Sequence, residues 1–147
     1  MRALGIDLGT RRVGVAVSDR SGTLASPLVV LQRSGSTQRD HRAIAVLVAE
    51  EEAEVVVVGL PLNMDGSMGP AARAAVAESE ALATVVDVPV LTFDERRTTV
   101  TAQQAMRAAG TRARDQRGSI DKVAAAVMLQ HWLDGGRPGL PDRAAQP

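Results

Sequence analysis

Residues 54 to 61 read EVVVVGLP, four successive valines closed by Gly-Leu-Pro. A half-exposed strand alternates apolar and polar side chains, whereas an unbroken β-branched run suits a strand covered on both faces. The run therefore predicts a central strand, parallel to the first strand of the chain, inside a layered α/β fold.

The flanking sequence supplies the rest of such a fold. ALGIDL at 3 to 8 and RVGVAVS at 12 to 18 read as two strands joined by the Gly9-Thr10 turn. TLASPLVVL at 24 to 32 reads as a third, with Pro27 favouring an edge. Ala43, Ile44, Leu47 and Val48 recur at helical spacing within 38 to 53. After the valine run come the loop NMDGSMGP, an alanine-rich helix over 70 to 84, the strand PVLTFDE at 89 to 95 and a helix over 99 to 110. TRARDQRGS, at 111 to 119, has no apolar period and reads as a mobile loop, and 120 to 134 reads as an amphipathic helix. The expectation is an α/β fold with a mixed five-stranded sheet, a hairpin meander followed by parallel strands, and helices on both faces. One domain spans 1–134 and a flexible tail 135–147. The NMDGSMGP loop reads equally as a lid or substrate contact at the carboxyl edge of the sheet, or as a strand-to-helix connection with Gly66 and Gly69 at special backbone angles.

Composition narrows the function classes. With 147 residues, 45% hydrophobic and 23% charged, the chain has the make-up of an ordinary globular domain. It contains no cysteine, which excludes a disulfide framework and a thiolate metal site. No basic-apolar leader opens the chain and no apolar run is long enough for a membrane span, so the expected location is cytoplasmic, away from membranes. A net charge of +0 argues against binding nucleic acid through overall charge. Arginines nevertheless cluster at Arg11-Arg12, at Arg96-Arg97 and at Arg107, Arg112, Arg114 and Arg117, either as phosphate-facing patches or as solvated surface. Aromatic residues amount to 1%, too few for a base-stacking platform.

Three carboxylates stand out. Asp7 lies in an apolar strand, where an ionised group persists only if paired or bound to a cation; the alternative is a turn cap. Strand alternation puts it on a face of small residues with Ala3, Gly5 and Gly9, leaving room for an approaching group. Asp94 and Glu95 are adjacent, so only one of them can share the side of Asp7. Asp121 is expected in the first turn of the last helix, where capping alone would account for it. Together, three hard oxygen donors near the carboxyl edge of a sheet suit one or two Mg²⁺ or Mn²⁺ ions and in-line phosphodiester hydrolysis. His41 and His131 read as surface histidines rather than ligands.

Four ordered segments, GIDLGTRRVGVAVSD, VVVGLPLNMDGSMGP, TFDERRTTVTAQ and SIDKVAAAVMLQHWLD, resemble the YqgF family of pre-16S rRNA nucleases, also described as Holliday-junction-resolvase-like. The resemblance covers nearly the whole chain up to the tail. It implies an RNase H-like fold and a metal-dependent nuclease with Asp7, Glu95 and Asp121 as its acidic residues. It also implies phosphate handling by Thr10, Arg12, Arg96 and Thr98. The implied partner is nucleic acid, either structured RNA such as pre-rRNA on ribosomal particles or branched DNA, handled by a monomer or weak homodimer. The loop before Asp121, often lysine-rich in the family, here mixes arginines with Asp115, which bears on substrate affinity rather than on fold. Two rivals remain. Acidic-Gly-Thr hairpins also occur in the actin, hexokinase and Hsp70 group, but that group builds its cleft from two such domains and this chain has room for one. The other rival is an RNase H-like module that binds nucleic acid without cutting it.

Overall fold

The computed structural model describes residues 1–94 and 113–140, with side chains from Asp121 onward in the second segment. The elements in chain order are β1 (Ala3–Leu8), β2 (Arg12–Ser18), β3 (Ala25–Gln32), α1 (Thr37–Glu50), β4 (Val55–Leu60), α2 (Pro70–Ala83), β5 (Val90–Asp94) and α3 (Ala113–Asp134). The strands form one sheet in the order β3-β2-β1-β4-β5. β2 runs antiparallel to β1 and β3, while β4 is parallel to β1 and β5 parallel to β4. This is the expected mixed sheet; the valine run forms β4, an interior strand between β1 at the centre and β5 at the edge.

Burial explains why four valines stand in a row. Val56 and Val58 face one layer with Leu4, Ile6, Val13 and Val15, covered by Ile44 and Val48 of α1 and Leu82 of α2. Val55 and Val57 face the other layer with Ala3 and Ala16, covered by Ala125, Met128, Leu129 and Trp132 of α3. All four valines are fully buried. Each such side chain contributes about 1.5–3 kcal/mol of transfer free energy.

Edges and ends follow local rules. Pro27 lies on β3, an edge strand, paired with Ala16 beside a register shift at Val15/Ala16. Ser36 caps α1 by accepting a hydrogen bond from the Arg39 amide at 3.2 Å. Pro70 opens α2, where a missing N–H costs nothing. After α3 the chain returns to the fold: the Trp132 indole N–H donates to the Pro138 carbonyl at 2.8 Å, and Leu140 packs on the α3 layer.

Four sequence-based expectations need correction. Residues 113–119 are the start of α3 rather than a loop. Arginine, glutamine and alanine propagate a helix well without an apolar stripe, so lack of periodicity there signals a missing buried face and not a missing helix. Asp121 therefore lies well inside α3 and not in its first turn, which removes the capping explanation for it. His41 is 2% exposed rather than on the surface. At spacings of three and seven it shares the inward face of α1 with Ile44 and Val48. Gly69 has φ −84°, ordinary backbone, whereas Gly66 at φ +88° is left-handed as expected. His131 is exposed. The helix expected over 99 to 110 lies outside the described residues.

Candidate active site

Asp7 stands at the carboxyl end of β1, directly opposite Gly14 of β2 in the antiparallel register. Opposed residues project to the same face, and on this face that is where α3 crosses. A Cβ on Gly14 would lie 2.1 Å from the backbone oxygen of Asp121, and one on Gly5 would lie 2.9 Å from Leu129 Cβ. The small residues flanking Asp7 thus let the α3 backbone settle onto the sheet and bring Asp121 beside Asp7.

The electrostatics record that proximity. The Asp7 carboxyl is raised from 3.8 to about 6, first by burial and then by repulsion from Asp121. Asp121 is held by a charge-assisted hydrogen bond from Arg12 Nε to its Oδ2 at 2.7 Å. The arrangement is a desolvated carboxylate, a second one alongside, and an arginine fixing the second.

Of the other expected site residues, Thr10 is exposed at the tip of the β1–β2 turn. Glu95, Arg96 and Thr98 lie outside the described residues. The chain reaches them from Asp94, at the carboxyl end of β5, which pairs with Leu60 at the same edge of the sheet. Among the described residues no group of three or more His, Cys, Asp or Glu could hold a metal ion. Among the described residues, too, no helix is long and apolar enough to cross a membrane.

The NMDGSMGP segment closes on itself. The Asn63 amide donates to the Ser67 carbonyl at 2.9 Å, and the Gly66 amide to the Asn63 carbonyl at 2.8 Å. Asp65 accepts from the Ser67 amide and hydroxyl at 2.9 and 2.6 Å. Met64 stands out of this loop, largely exposed.

On the opposite face of the sheet lies a polar cluster that no sequence motif announces. Arg33 pairs with Glu78 through Nη1 to Oε2 at 2.6 Å and Nη2 to Oε1 at 2.9 Å. His41 Nε2 meets Glu78 Oε2 at 2.9 Å. Asp40 accepts from the Ser34 hydroxyl at 2.7 Å and amide at 3.0 Å. Burial raises the Glu78 carboxyl, but the hydrogen bonds from Arg33 and His41 prevail and hold it below its ordinary range. The inward spacing of His41 was a usable signal; nothing in the sequence pairs Arg33 with Glu78.

Comparison with solved structures places the fold. The chain superposes on T. thermophilus RuvC in complex with a Holliday junction substrate, with a TM-score of 0.59 at 18% identity, covering 94% of this chain and 97% of that one. A second T. thermophilus RuvC structure matches with a TM-score of 0.54 at 17% identity, covering 93% and 98%. The fold is RNase H-like, with Asp7 and Asp94 at the carboxyl edge of its sheet.

Sequence relatives define it further. The RuvX family model, described as Holliday junction resolvase, matches residues 1–135. A protein of Mycobacterium sp. (strain KMS) named as a pre-16S rRNA nuclease is 51% identical over 95% of this chain and 83% of its own length. One of Mycobacterium leprae (strain Br4923), named likewise, is 49% identical over 99% and 79%. One of Anaeromyxobacter dehalogenans, also so named, is 46% identical over 94% and 100%. The chain belongs to the RuvX (YqgF) family.

Proposed function

We propose that this protein is a cytoplasmic, divalent-metal-dependent nuclease that trims the 5′ end of pre-16S rRNA, with Asp7, Asp121 and Glu95 as the metal-binding carboxylates. The observation that carries the reading is the seating of Asp121 beside Asp7 through the Gly14 contact. Two carboxylates forced together in a desolvated place repel each other, and a bound cation relieves both the repulsion and the desolvation. The donors are hard oxygens, which fits Mg²⁺ or Mn²⁺ and not softer metals. Such an ion supplies an activated water and stabilises the leaving oxygen.

The protein's own groups do the rest. Asp7, protonated at pH values below about 6 without a cation, ionises to bind one. Arg12 fixes one oxygen of Asp121 and so the rotamer of that side chain. Thr10 and Arg12, with Arg96 and Thr98, hold backbone phosphates; such contacts position a strand without reading its bases.

The RNA assignment rests on the names of relatives about half identical over most of their length. The family description favours a second reading, resolution of branched DNA junctions. A junction resolvase cuts two symmetric strands and needs a dimer, whereas end trimming suits the monomer or weak homodimer expected here. Cleavage of precursor rRNA ends and of a four-way junction, with Mn²⁺ or Mg²⁺ against EDTA, tests both. Metal-dependent cutting lost in Asp7→Asn supports the site, and the preferred substrate chooses the reading. Binding without cutting by the folded wild type would refute hydrolysis and leave a binding module.

A further inference from the structure

We propose that Arg33 is a positioning residue of this nuclease. It reaches through from the opposite face of the sheet to hold the Gly9–Arg12 turn, with Glu78 and His41 as its anchor. The inference rests on the reading of Asp7 and Asp121 as the reacting centre.

The turn is narrow. The Gly9 amide donates to the Arg12 carbonyl at 2.9 Å, and a Cβ on Gly9 would sit 2.5 Å from that same oxygen. Asp7 precedes the turn by two residues, and Arg12, which grips Asp121, ends it. Any shift of the turn is therefore carried to both described carboxylates.

Side-chain packing leaves space behind this turn. A cavity of about 410 Å³ lies there, lined in part by Leu8, Gly9, Thr10, Pro61 and Ala75. Arg33 also lines it. Its Nε and Nη2 both donate to the Gly9 carbonyl, at 3.0 and 2.9 Å. Its backbone amide donates to the Arg11 carbonyl at 2.9 Å. The same guanidinium is forked onto Glu78 of α2, and Glu78 is tied in turn to His41 of α1. Asp40 Oδ2, 3.9 Å from Arg33 Nη1, faces the cluster from the side.

An ion pair that merely joined β3 to α2 would have no use for two donors on a turn carbonyl. A planar guanidinium makes forked contacts to Gly9 and Glu78 at once, four hydrogen bonds in all, whereas an ammonium has three donors on a single atom and cannot reproduce both forks. The clamp thus connects the helix that follows the NMDGSMGP loop with the turn beside Asp7.

The test compares wild type, Arg33→Lys and Arg33→Ala by steady-state cleavage of the preferred substrate, amide hydrogen exchange and thermal unfolding. Displacement of a catalytic group by about 1 Å costs on the order of 10²-fold in rate. Arg33→Lys is expected to lose roughly that much in kcat while KM moves less than about threefold. Exchange at Gly9–Arg12 should accelerate more than exchange in β4. Low-millimolar guanidinium, against a sodium control, should restore part of the kcat of Arg33→Ala. A folded Arg33→Lys with kcat within about threefold of wild type overturns the proposal. So does a loss of rate accompanied by uniformly faster exchange over β1, β2 and β4, the mark of a general stability defect. If both Arg33 variants fail to fold, Glu78→Gln, which loosens the anchor while keeping Arg33, is judged by the same two readouts. A wild type that cuts neither substrate would overturn the nuclease reading, whereas unchanged exchange at Gly9–Arg12 in Arg33→Lys overturns the clamp alone.

Discussion

Asp7→Asn should make the metal-free protein more stable while abolishing cleavage. The Asp7 carboxyl is raised from 3.8 to about 6 by burial and by Asp121, so at neutral pH the fold holds a charge that it disfavours. At ~1.4 kcal/mol per pK unit that gap corresponds to about 3 kcal/mol, a ceiling that water reaching the half-buried side chain lowers to roughly 1–3 kcal/mol. Because the folded value lies above the unfolded one, the native state binds more protons between pH 4 and 6. The contribution to stability is therefore complete below about pH 3.8 and lost as pH rises through about 6. Asparagine keeps the volume and cannot ionise. In EDTA at pH 7.5 the variant should melt about 3–10 °C above wild type, and the gap should close by about pH 4. Saturating Mg²⁺ should raise wild type by about 2.7 kcal/mol at a hundred times its Kd and leave the variant unmoved. Thermal unfolding by circular dichroism at several pH values, with and without metal, measures all of this. A variant equal to or less stable than wild type at pH 7.5 in EDTA would refute the claim that Asp7 is a desolvated, repelled charge awaiting a cation.

Gly14→Ala should destabilise by about 2–3 kcal/mol and reduce cleavage, because a methyl 2.1 Å from the Asp121 carbonyl must lift α3 off the sheet; denaturant unfolding and a single-turnover assay would show it. Glu78→Gln leaves Arg33 with only the more distant Asp40 carboxylate at 3.9 Å, and should cost about 2–3 kcal/mol at pH 7. Since the Glu78 carboxyl is held below its ordinary range, that contribution is present above the unfolded value and lost as pH falls through the folded one, so the difference from wild type should shrink in acid. Arg12→Ala should weaken nucleic-acid binding and shallow its salt slope by about one, measured by fluorescence anisotropy across a salt series. An unchanged slope would remove Arg12 from the phosphate-binding set.

What the sequence determined by itself was whatever short-range pattern encodes. The valine run specified a strand buried on both sides, the alternation around Asp7 specified which residues share its face, and Pro27 marked an edge; each follows from a periodicity of two or from a fixed backbone dihedral. The start of α3 was illegible, because a helix turn without a buried face leaves no hydrophobic period to read. His41 is legible in its spacing, three and seven residues from Ile44 and Val48, although its neighbours in sequence are charged. The placement of Asp121 needed the tertiary structure, since it follows from how closely α3 can approach Gly14 and Gly5, residues far from it in the chain. The Arg33–Glu78 pairing needed it as well, because those side chains meet only once β3, α1 and α2 have packed on one layer. Contacts between segments distant along the chain are selected by shape and charge on folding, and local pattern carries no record of them.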